Sequence, residues 1–106
     1  MTLKELETAL KDTGYAVAYR EFQDVVPTVP YITWTVENER HYGSDMENHV
    51  GVLSVTVELY SNKKDPDAEK KIESILSGVE FDKTETAIPE EQLLEIIYEF
   101  DLYTKY

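Results

Sequence analysis

The side chains that could do chemistry are two histidines, His41 and His49, and a large surplus of carboxylates. A zinc site built on the histidines needs a third or fourth ligand, and Asp45 or Glu47 could be offered. The spacing matches no standard zinc signature, so two loop histidines are the preferred reading. Glu95, Glu99 and Asp101 fall on one face if their segment is a strand. A glycosidase-like pair needs a cleft and two unequal environments, and a small two-layer domain offers little cleft. That acidic row reads as a solvated or lumen-facing sheet surface. Asp65-x-Asp67 lacks the glycine of a calcium loop and is interrupted by Pro66, so a helix cap explains it better. The four glycines are scattered and make no phosphate loop; Gly51 is read as a bulge or twist at the start of a strand. No Ser/His/Asp order stands out. No enzymatic activity, metal or cofactor is expected.

The elements that would carry these residues are legible in the spacing. Thr2-Leu3-Lys4-Glu5 has the form of a capping box, and Leu3, Leu6 and Leu10 follow at helical spacing. A helix is predicted over about 3–12, with Gly14 as its C′ residue. Tyr15 to Tyr19 reads as a short strand and Glu21 to Pro27 as loop. Tyr31 to Glu37 reads as a second strand with Ile32, Trp34 and Val36 inward. Asn38 to Asn48 is polar, either a protruding hairpin tip or a loop. Val50 to Tyr60 alternates Leu53, Val55, Val57 and Leu59 against Ser54, Thr56, Glu58 and Tyr60, which is a long strand with one dry face. Asp65-Pro66 then caps a helix whose Ala68, Ile72, Ile75 and Leu76 share a face, with Gly78 as its stop. Val79 to Asp82 reads as a short strand and Thr84 to Pro89 as loop. The last segment fits a helix through Leu93, Leu94, Ile97 and Tyr98. It fits better as a strand over about 92–103, since Leu94, Ile96, Tyr98, Phe100 and Leu102 alternate without a break.

The expected fold is α+β: a small, mainly antiparallel sheet of four to five strands with two helices packed on one face. With 106 residues the chain is expected to be a single domain. It contains no cysteine, so disulfides, thiolate metal sites and a Cys nucleophile are excluded. Met1 leads straight into a helix start, so no signal peptide is expected, and no apolar run is long enough to span a bilayer. Twenty-two acids against ten bases give a net charge of −12, which argues against ordinary phosphate-backbone binding. Trp34 is expected in the core. Eight tyrosines are harder to place in one small core, and Tyr15, Tyr19, Tyr31, Tyr60 and Tyr103 include candidates for an intermolecular surface.

Several segments together carry a resemblance. They are Tyr19-Arg20-Glu21-Phe22; Pro30-Tyr31-Ile32; Leu59-Tyr60-Ser61-Asn62-Lys63-Lys64-Asp65-Pro66 with Glu69; and Tyr98-Glu99-Phe100. The chain resembles small head–tail morphogenesis proteins of long-tailed phages and prophages of Gram-positive bacteria, the tail-completion or tail-terminator group. That group carries a Ser and an Ala-Asp-Asn-like triplet before the long strand. Here Ser44 is followed by Asp45-Met46-Glu47-Asn48. The resemblance implies a homo-oligomeric ring, often a hexamer, that caps the tail tube and joins it to the head connector. It implies partners in tube and connector proteins, DNA passing through a lumen without specific binding, no membrane, and a place in the virion after assembly in the bacterial cytoplasm. The expected contact residues are Arg40, His41, Tyr42 and Asp45 in the polar stretch and Lys63 and Lys64 in the turn. The rival expectation is a small acidic binding or regulatory module, a DNA-mimic-like inhibitor of a basic protein.

Overall fold

The computed structural model describes residues 1–43 and 50–105. The chain runs α1 (Leu3–Lys11), β1 (Ala16–Tyr19), β2 (Tyr31–Tyr42), β3 (Val50–Ser61), α2 (Pro66–Ile75), β4 (Phe81–Ile88), a 3-10 turn (Pro89–Glu91) and β5 (Leu93–Lys105). The five strands form one sheet in the order β1-β2-β3-β5-β4. Both helices lie on one face of it, so the fold is the expected α+β.

Each helix begins where its cap directs. The Thr2 hydroxyl accepts from the Glu5 N–H, and the Glu5 carboxylate accepts from the Thr2 N–H. The Asp65 carboxylate accepts from the Ala68 N–H, with Pro66 in the first turn. These bonds satisfy donors that no helical carbonyl can reach. The α1 cap at its far end is Asp12, so Gly14 stands one residue beyond C′. It does adopt the left-handed conformation, at φ +91°.

The core forms where two patterns meet. Ile32 and Trp34 of β2, Leu53 to Leu59 of β3 and Ile96 to Leu102 of β5 present alternate residues to one side. Leu6, Leu10, Ala68, Ile72 and Leu76 of the helices cover them. The last segment is a strand because that alternation buries Ile96, Tyr98, Phe100 and Leu102 on one side, with Tyr98 fully enclosed. Trp34 is buried, with the Tyr19 ring edge-on to it at 4.7 Å.

The sheet is mainly antiparallel, as expected; β1 alone runs parallel to its neighbour among the described strands, because residues 20–30 carry the chain back before β2 begins. Three expectations need correction. β4 continues through Thr84 to Ile88, where loop was expected. It is an edge strand with both faces polar, so it shows no apolar alternation, and its Thr residues suit a strand. β2 does not end at Glu37 but continues to Tyr42 beside β3, which makes the first half of the polar stretch a hairpin arm. The bulge lies on β2 rather than at Gly51. Val36 pairs Val55 and Asn38 pairs Ser54, leaving Glu37 as the extra residue, while Gly51 sits in regular register.

Candidate functional site

The bulge decides what the arm displays. Up to Val36, even-numbered residues of β2 face the helices. After Glu37 the parity reverses. Glu39 and His41 therefore lie on the helix side, level with Leu53 and Gly51. Arg40 and Tyr42 turn to the uncovered side, level with Val52 and Val50. His41 Nε2 is 2.7 Å from Glu39 Oε2. The Arg40 guanidinium lies 6.0 Å from the centre of the Tyr42 ring and donates to its hydroxyl at 3.3 Å. Asp45 and His49 fall outside the described residues.

The arm is a three-stranded ribbon of residues 38–42, 50–54 and 101–105. β1 accompanies β2 only to Trp34, and β4 accompanies β5 only from Leu93 to Phe100. Among the described residues, no strand lies outside either edge of the ribbon. Its uncovered face carries large apolar groups in water: Tyr103 is 68% exposed, Tyr42 50% and Val50 37%. Soluble domains rarely leave such groups clustered without a partner. Three strands at the arm against five in the body also make the chain long, at 50 × 29 × 23 Å.

The rest of the uncovered face is acidic. Register places Glu58 beside Tyr60 and diagonally from Glu95, and sets Thr56, Glu99 and Asp82 in one row across three strands. The Tyr60 hydroxyl donates to Glu58 at 2.5 Å, and its ring stacks on Tyr31 with centroids 4.9 Å apart. Partial burial pushes the Glu95 carboxyl above its usual range, and hydrogen bonding and charge from Glu58 push the same way. Burial, then the Glu58 carboxylate, raises the Tyr60 phenol well above its ordinary value. Glu95, Glu99 and Asp101 share the uncovered face, as the alternation predicts, and Glu58 lies diagonally beside Glu95. The only signal for that was the shared face of Glu58 and Tyr60. A cavity of about 1010 Å³ opens where β4 begins beside β5, with Glu37, Asp82, Glu99, Asp101 and Tyr103 in its walls. Glu58 and Glu95 are not among them. None of Glu37, Asp82, Glu99 and Asp101 forms an ion pair among the described residues.

The turn lysines divide. Lys63 is exposed. Lys64 is engaged within the chain, 3.0 Å from Glu69 and 2.8 Å from Glu85. Lys83 of β4 reaches Glu69 and Glu73 of α2, each at 2.7 Å, and the Tyr98 hydroxyl donates to Glu73 at 2.8 Å. Glu69 is only 4% exposed. The network pins α2 to the edge strand. Lys83, and then Tyr98, hold the Glu73 carboxyl below its usual range. Lys71, by contrast, lies over the Tyr15 ring at 4.7 Å. No group of three or more His, Asp or Glu side chains suited to a metal occurs among the described residues. No described helix is long and apolar enough to cross a membrane. In sequence, the chain matches no protein-family model and no curated protein.

Proposed function

We propose that this chain is a structural subunit of a phage or prophage head–tail junction, a tail-completion or tail-terminator-like protein. It acts by shape and self-association rather than by chemistry, forming a ring between tail tube and head connector. The observation that carries this reading is the arm, which is open at both edges and leaves Tyr42, Val50 and Tyr103 in water. Such a ribbon is costly to leave uncovered and well suited to a neighbour. The resemblance of the Leu59 to Pro66 tract and its companions supplies the setting. The acidic sheet face agrees with a surface that DNA passes without adhering.

Light scattering after size exclusion tests it, with the protein alone and with purified tail tubes. A closed oligomer, or a cap on tube ends, is the expected result. A second reading, an acidic module that binds a basic protein, is favoured by the unpaired carboxylates of the open face. It expects a monomer or dimer that ignores tubes and binds a basic partner with steep salt dependence.

A further inference from the structure

We infer that the arm associates with a second copy of this chain by strand addition, β2 of one copy lying along β5 of the next. The inference rests on the ring reading and names the ring's interface.

Two open edges on one ribbon are the starting point. The outer side of β2 over 38–42 and the outer side of β5 over 101–105 are of equal length and lie at the same level of the sheet. Both strands run antiparallel to β3, so they are parallel to each other. A copy placed alongside in the same orientation therefore sets its β2 beside β5 as a parallel ladder, with backbone groups meeting backbone groups. The two edges differ, so the contact is heterologous: each copy offers one and receives the other.

Shape turns that row into a ring. The arm is three strands wide, about 14 Å, and the body five, about 24 Å, at the usual inter-strand spacing. In the body, β4 of one copy and β1 of the next would both have to lie between the paired arms. The arms meet only if the bodies splay apart. Wedges repeated by one rotation curve toward closure.

Charge agrees with this neighbour. Level register sets Arg40 of the incoming strand beside Tyr103 and one same-face step from Asp101. Among the described residues, Arg40 has no carboxylate partner and Asp101 has no cation. In the pair, each receives the other, and Tyr42 and Tyr103 leave water together.

The chain has no cysteine, so introduced ones report cleanly. His41 and Thr104 lie level on either side of Gly51, two strands apart. That is about 10 Å within one copy, too far for a disulfide. Across the proposed contact they are adjacent. The double variant His41→Cys/Thr104→Cys should therefore form a ladder of covalent multimers under mild oxidation, while each single variant should not. Separately, Arg40→Glu should weaken self-association about tenfold or more in sedimentation equilibrium, with Asp101→Arg restoring it in the same chain. A wild-type ring without a ladder or rescue would overturn this interface and leave the ring reading standing. A wild type that stays monomeric with and without tubes, and gives no ladder, would overturn both.

Discussion

Glu95 and Glu73 are both carboxylates against a sheet, and their surroundings push them in opposite directions. Glu95 is raised, chiefly by burial and then by Glu58. A raised carboxyl adds stability that is fully present below its unfolded value, near 4.3, and is lost as pH climbs through the folded value. At pH 7 its charge is a cost, so Glu95→Gln, which can still accept from a tyrosine, should raise Tm at pH 7 and leave it unchanged near pH 4. Thermal melts at the two pH values check this. Glu73 is lowered, first by Lys83. Its contribution is present above the unfolded value and is lost as pH falls through the folded one. Lys83→Met removes the shared cation of Glu69 and Glu73 and leaves Glu69 buried with Lys64 alone. The expected loss is about 2 kcal/mol at pH 7, shrinking towards pH 3, by chemical denaturation.

At the level of elements, the caps and the arm make separate claims. Asp65→Ala deletes the acceptor for the Ala68 N–H and should cost about 1 kcal/mol. Residues 38–42 are exposed and, among the described residues, neither edge of the arm has a further strand, so amides of 38–42 and 101–105 should exchange by local opening well before those of 32–35 and 96–100. Equal protection along the whole of β2 in the monomer would contradict that. Much of this architecture was readable in order. Thr2 with Glu5 and Asp65 with Pro66 announce helix starts, and the Leu94 to Leu102 alternation outweighs a competing helical face because it buries Ile96, Tyr98, Phe100 and Leu102 together. The arm was not readable, because its parity breaks at Glu37. Asn38 and Arg40 occupy positions that would face the core if β2 were regular, and polar residues there looked like the end of the strand. β4 was missed past Asp82 because an edge strand wet on both sides carries no dry stripe. The Lys83–Glu69–Glu73–Tyr98 cluster joins three successive elements through their packing, and local spacing holds no trace of it. Of the expected contact residues, the bulge sets Arg40 and Tyr42 on the uncovered face and His41 on the other. Lys64 serves the internal network, and Asp45 lies outside the described residues.

For the molecule as a whole, charge is the dominant constraint. A net −12 on 106 residues, with Glu99 and Asp82 directly opposed across two strands, works against compactness. Raising NaCl to about 0.5 M should therefore increase the Tm of the monomer, since screening weakens repulsion between exposed acids more than it weakens the part-buried pairs around Glu69. A lower Tm in calorimetry would mean that those internal pairs dominate. The strand order has a consequence of another kind, for biosynthesis. β5 lies between β3 and β4, yet it is the last of these elements to be made. While a nascent chain waits for it, β3 has a partner on one side only and β4 has none. The central strand β3 then offers its open edge to any other unfinished copy. Such long-range closure is slow to fold. A fragment ending near residue 80 should aggregate, where the same segment in the finished protein is the best protected part of the sheet.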